Sequence, residues 1–137
     1  MTEKAVMDAL VQMKRTGNLL NETEDLTQQM NEAMDRNDQV SLEMLIAMRE
    51  EPLGKLQAAD QAIRDQPELL ADKLEAAQLA SMLNGGPPAD LNVRVQQQLC
   101  EQVASNNRRL KQIIELDQQL NQRLGRENSS YWQSKPG

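Results

Sequence analysis

Apolar positions along this chain recur at alternating spacings of four and three, and nowhere alternate over a useful length. Val6, Leu10, Met13, Gly17 and Leu20 form one such run, and Leu19, Thr23, Leu26, Met30 and Ala33 continue it on a slightly shifted stripe. That spacing predicts a long helix with a narrow buried seam, from about Glu3 to Met34. Gly17 costs that helix about 1 kcal/mol relative to Ala, so it either permits a close helix crossing or is merely tolerated. Asp35-Arg36-Asn37-Asp38 reads as a tight break, with Asp38 suited to cap the next helix. A second helix follows over about Gln39 to Arg64, with Leu42, Leu45, Ile46, Leu53, Leu56, Ala59 and Ile63 on one side. Pro52 removes a backbone donor within it and predicts a kink or a break.

Asp65-Gln66-Pro67-Glu68 is another start signal, a capping-box-like Asp and Glu around an early Pro. It predicts a shorter helix to about Leu83 that uses Leu70, Leu74 and Ala77. Asn84-Gly85-Gly86-Pro87-Pro88 is the clearest stop in the sequence. The last helix is expected from Asp90, its seam running Leu99, Val103, Asn106, Leu110, Ile113, Asp117, Leu120 and Leu124 without interruption. From Leu91 to Leu124 it would be about 50 Å long at the helical rise per residue. Two polar residues stand in that seam. Asn106 there can fix register or partner number. Asp117 either faces a basic side chain or marks where the seam opens to solvent.

These elements predict an all-α fold: an elongated antiparallel helical bundle or hairpin, with long first and last helices and shorter ones between. Residues 1–125 form the bundle and residues 126–137 a polar C-terminal tail. The tail holds the chain's two aromatic residues, Tyr131 and Trp132, and the sequence has no Phe. The core is therefore built from Leu, Ile, Val, Met and Ala. The best interface anchors lie outside every apolar repeat.

A formal charge of −6 argues against a general nucleic-acid binder, which needs a basic face, and against anionic membrane surfaces. No apolar run is long enough to insert in a membrane, and Met1 to Val6 lack the features of a signal peptide, so the expected location is cytoplasmic. Cys100 stands alone and supports no disulfide framework. It reads as a small, buried or half-buried helix residue.

Catalysis is not expected. The absence of His removes the commonest general base and metal ligand and excludes a Glu-x-x-His di-iron site. Asp35-Arg36-Asn37-Asp38 is no calcium loop: the required Gly is missing, and Ile46 stands where a bidentate Glu belongs. Gly85-Gly86 leads into prolines rather than a phosphate-binding helix. Glu22, Glu24 and Asp25 read as solvated helix surface. No cofactor or metal is implied. The sequence has eight Met, six of them (Met7, Met13, Met30, Met34, Met44 and Met48) in the first two helices. They either fill gaps in an aromatic-poor core or form an adaptable groove for amphipathic helices.

The stretch Leu26-Thr27-Gln28-Gln29-Met30-Asn31-Glu32-Ala33-Met34 leads to Asp38, then to Leu42-Glu43-Met44-Leu45 and Arg49-Glu50-Glu51-Pro52-Leu53-Gly54-Lys55-Leu56. This pattern resembles bacterial flagellar export chaperones of the FlgN/FliT type. Asn106-Asn107-Arg108-Arg109-Leu110-Lys111-Gln112-Ile113-Ile114-Glu115-Leu116-Asp117 resembles the last long helix of both groups. The likeness is one of helix lengths and spacings over most of the chain; Pro52 and the Gly-Gly-Pro-Pro turn depart from it. It implies a cytosolic chaperone that holds late flagellar subunits, hook-associated or filament-cap proteins, before type III export. The partner would be a protein with an amphipathic helix, seated on Leu110, Ile113, Ile114, Leu116, Leu120 and Leu124. A C-terminal tyrosine-bearing segment in that family is implicated in docking at an export-gate protein, which assigns that role to Tyr131 with Trp132 beside it. The alternative is a coiled-coil or oligomerisation adaptor without an export role, in which the same leucines are permanent core or the seam of a homodimer.

Overall fold

The computed structural model describes residues 2–124. Among them are four α-helices and one short 3-10 turn, and no strand. Helix α1 spans Glu3–Asp35, α2 Gln39–Asp65, α3 Lys73–Leu83 and α4 Arg94–Arg123, with the 3-10 turn at Pro67–Leu69 before α3. The bundle with long outer helices and shorter elements between them is therefore the observed fold.

Local chemistry sets most of the boundaries. Thr2 caps α1, its Oγ1 accepting from the Ala5 amide at 3.3 Å. Asn37 ends it with φ at +55°, and the Asp38 amide then donates back to the Ala33 carbonyl at 2.9 Å. Asn is one of the few residues that takes this left-handed conformation readily. Asp38 starts α2, accepting from the Ser41 amide at 3.0 Å and the Ser41 hydroxyl at 2.6 Å. Those two bonds hold its carboxyl below the usual carboxylate range. Gly85, with φ at +96°, closes α3. The Gly86 amide reaches the Ser81 carbonyl at 2.8 Å and the Gly85 amide reaches that of Met82 at 3.2 Å, a Schellman stop.

Two boundaries differ from those the sequence predicts, and the break allowed for at Pro52 does not occur. Helix α2 runs unbroken through Pro52. One backbone bond is lost there, but the buried face continues through Arg49, Pro52, Leu53 and Ile63, and tertiary packing of that face holds the helix. Helix α3 starts eight residues after Asp65, capped by Asp72, which accepts from the amides of Leu74 and Glu75. The Asp65-Gln66-Pro67 signal forms the 3-10 turn instead. Its buried face is also rotated: Leu79 and Met82 are in the core, whereas Leu74 and Ala77 are exposed. Helix α4 begins at Arg94 rather than near Asp90, because Asp90 spends its carboxylate on the Asn92 amide at 2.9 Å.

Cross-helix bonds fix the topology. Asn106 bonds to Met13, Arg109 to Glu24, and Arg123 to Asp35. Residue numbers rise together along α1 and α4, so these helices run in the same direction. Helix α2 descends antiparallel to both, and α3 turns the chain back at the far end. Helix α1 packs along both long partners, while the backbones of α2 and α4 hardly approach each other.

The interior has two apolar clusters. One gathers Val6, Leu10 and Met13 with Ile63, Leu79, Met82, Leu99 and Val103 at the α3 end. The other gathers Leu26, Met30 and Ala33 with Leu42, Leu45 and Leu120 at the hinge between α1 and α2. Between them lies a belt of buried polar side chains: Thr23, Thr27, Arg49, Asn106 and Asp117.

Candidate functional site

Below the polar belt, the gap between α2 and α4 is a groove of about 730 Å³. Helix α1 supplies its floor with Met13, Thr16 and Leu20. The α2 wall carries Leu53, Leu56, Gln57, Asp60, Ile63 and Arg64, and the α4 wall Val103, Asn106, Asn107 and Leu110. Ala80, Leu83 and Asn84 at the end of α3 stop the groove, beside Pro67. Each wall is an i, i+3/i+4, i+7 row, so the helical repeat itself presents the aliphatic side chains in line. Leu53 to Arg64 covers about three turns of α2, or roughly 17 Å. The groove lies where a further helix of a bundle would pack. Asp60 and Arg64 pair across one turn of the rim at 3.0 Å, and the other polar lining groups are Thr16 and the amides of Gln57, Asn84, Asn106 and Asn107.

The upper boundary of the groove is electrostatic. Arg49 on α2 has no exposed side-chain surface, and Asp117 on α4 is 1% exposed. Arg49 Nη1 donates to Asp117 Oδ1 at 2.9 Å and to Thr27 Oγ1 on α1 at 3.0 Å. Thr27 is free to accept because its hydroxyl proton goes to the Thr23 carbonyl at 2.7 Å. Asn121 donates to the second carboxylate oxygen at 3.3 Å. One guanidinium thus ties three helices together. Burial raises the Asp117 carboxyl above its ordinary value, and the Arg49 charge and the two hydrogen bonds oppose that shift without cancelling it. The two outcomes left open for Asp117 resolve here: it faces a basic side chain.

A second polar contact joins α1 to α4. Asn106 Nδ2 donates to the Met13 carbonyl at 2.9 Å, and its Oδ1 accepts from Gln102 Nε2 at 2.9 Å. A Cβ on Gly17 would lie 2.9 Å from both of those amide atoms, Asn106 Oδ1 and Gln102 Nε2. Gly17 therefore permits a close crossing at Asn106, and Asn106 sets the register of α1 against α4. Arg109–Glu24 and Arg123–Asp35, each at 2.6 Å, continue that register towards the hinge.

The six candidate contact residues of α4 divide. Leu110 and Ile114 are about two-fifths exposed, at 39% and 41%, while Ile113 and Leu120 are fully buried, at 0% and 1%. Leu116 and Leu124 are half-buried. Leu110 alone of the six lines the groove. The α2 wall was missed by sequence reasoning, which placed the contact surface on the last helix alone. So was Arg49. The available signal was a lone basic residue in the α2 seam facing a lone acidic residue in the α4 seam. The methionines also divide: Met13 and Met30 are core, whereas Met7, Met44 and Met48 are exposed and none of these three lines the groove. Cys100 is half-buried on α4, and burial pushes its thiol up. Tyr131 and Trp132 lie outside the described residues. No helix among the described residues is long and apolar enough to cross a membrane. No family model, curated protein or solved structure matches the chain.

Proposed function

We propose that this protein is a non-catalytic, cytoplasmic chaperone that holds an amphipathic helix of a partner protein in the groove between α2 and α4. The carrying observation is the groove itself: two helical walls with aliphatic rows, an aliphatic floor on α1, and a width left where the backbones of α2 and α4 hardly approach each other. An amphipathic helix of about three turns matches its length and would bury its own aliphatic stripe against Leu53, Leu56 and Leu110, by helix-in-groove recognition. A rim rich in amides places no net charge against the helix, so shape and apolar burial select the occupant. The likeness to FlgN/FliT-type chaperones supplies the partner class, a hook-associated or filament-cap subunit awaiting type III export. On this reading Tyr131 and Trp132 make the contact with an export-gate protein.

The test has two stages. Copurification from the native host identifies a candidate subunit, and a synthetic peptide of its amphipathic terminal helix is then titrated into the purified full chain. One-to-one binding that is lost in Leu56→Asp and Leu110→Asp variants of unchanged helicity supports the reading. A stable oligomer in which Leu110 is protected by a second copy, with no peptide binding, supports the adaptor reading in its place.

A further inference from the structure

We propose that the Arg49–Asp117 pair is a strut that holds α2 and α4 apart and so keeps the groove open. The inference rests on the groove reading above and names the positioning residues for that site.

A buried ion pair is a poor source of stability, because apolar residues of similar volume do as well or better. Its geometry is what an apolar pair would not reproduce. Arg49 is the largest fully buried side chain among the described residues. It crosses from α2 to Asp117 on α4 at 2.9 Å while also holding Thr27 on α1 at 3.0 Å. The backbones of the two helices it connects hardly approach each other. The spacing between helices follows the side chains at their contact, so a side chain as long as arginine at that contact sets a wide gap. The position is right for this task. Leu53, the first groove residue of α2, is one turn from Arg49, and Leu110 on α4 is two turns from Asp117. Because Thr27 fixes the arm from below, the guanidinium cannot fold aside and let the helices close. An apolar pair of shorter combined reach, with the arm at position 49 cut back, would let α2 settle onto α4, narrowing the groove without loosening the bundle.

The experiment compares the full chain with an Arg49→Met/Asp117→Leu double variant. Both carry Cys100→Ser and spin labels at Gln57→Cys and Asn107→Cys, exposed positions at the mouth of the groove. Pulsed dipolar spectroscopy should show the label separation shortened by about 2 Å, the spread of helix spacings that side-chain size alone produces. In the unlabelled proteins, Nile red should bind the parent chain with blue-shifted emission and bind the double variant at least fivefold more weakly, while melting temperature holds or rises. An unchanged separation in a folded variant overturns the strut. If the parent chain binds no dye, the groove reading fails separately, and the label distance still decides the strut. Should the double variant not fold, Arg49→Gln/Asp117→Asn replaces it: a hydrogen-bonding pair of shorter reach, for which the same shortening is expected and its absence overturns the proposal.

Discussion

Replacing Gly17 by Ala sets a backbone gain against a packing loss, and the structure decides which wins. In isolation the substitution should stabilise a 33-residue helix by about 1 kcal/mol, since Ala is the better helix former. Here the new Cβ would lie 2.9 Å from both Asn106 Oδ1 and Gln102 Nε2. Gln102 is long and half-buried, and its amide can swing out to solvent. Asn106 is short, 7% exposed, and tied by its Nδ2 to the Met13 carbonyl. Moving it breaks that bond and leaves buried polar groups unmatched, at about 1–3 kcal/mol. The expected result is a net loss of up to about 2 kcal/mol, read as a fall of up to several degrees in the thermal midpoint. The double-mutant cycle sharpens the test. Asn106→Ala alone should also destabilise, by about 1–3 kcal/mol, but with the amide gone Gly17→Ala should recover its intrinsic benefit. The double variant should therefore be more stable than Asn106→Ala, a coupling of opposite sign to the single-site effect. Circular dichroism melts and urea titrations of the four proteins measure it. If Gly17→Ala is stabilising in the parent chain by the full helix-propensity gain, Asn106 moves without cost and the close-crossing argument is wrong.

Arg49→Ala should destabilise far more, by about 3–5 kcal/mol, because it strands a buried carboxylate; urea denaturation gives the value, and a loss under 1 kcal/mol would contradict the burial described. The Asp117 carboxyl titrates higher in the folded protein than in the unfolded chain. Folding therefore takes up a proton, and the stability of the parent chain relative to Asp117→Asn should rise as pH falls from the folded value to the ordinary carboxylate value. Melting both proteins across that window tests the sign. Ile113→Asp places a charge at a fully buried site and should unfold the chain, whereas Ile114→Asp one residue on should leave its circular dichroism unchanged. Burial raises the Cys100 thiol, so iodoacetamide should alkylate it more slowly at neutral pH than it alkylates a free cysteine, and at the free rate in urea.

The seams of α1 and α4 were legible because they are long and strictly periodic. Val6 through Ala33 and Leu99 through Leu120 fall on buried faces, with Leu110 the exception at 39% exposure. The exception has a cause: its row faces the gap that α2 leaves, and a single-helix pattern does not say which neighbour is missing. Asp38 and Gly85 were readable because each satisfies a local bonding need. No break occurs at Pro52 because the loss of one donor is local, whereas the packing that keeps α2 intact is not. Leu74 misled for the same reason, in that an 11-residue helix takes its orientation from what it docks on. The groove belongs to α1, α2, α3 and α4 together, and the pairing of Arg49 with Asp117 spans 68 positions of chain. Neither is visible to any local window.

The shared direction of α1 and α4 gives the molecule a polarity. A hairpin of two long helices would return the chain to its starting side. Here Thr2 stands beside α3, and Leu124 stands about 45–50 Å away, where α1 turns into α2, a full helix length at the α-helical rise. Whatever follows Leu124 begins at the end opposite the α3 stop of the groove. A surface that grips the protein through residues beyond Leu124 would present the α3 end outward, and one that grips it near Thr2 would present the hinge. Two bodies engaged at those tips would be separated by that full helix length.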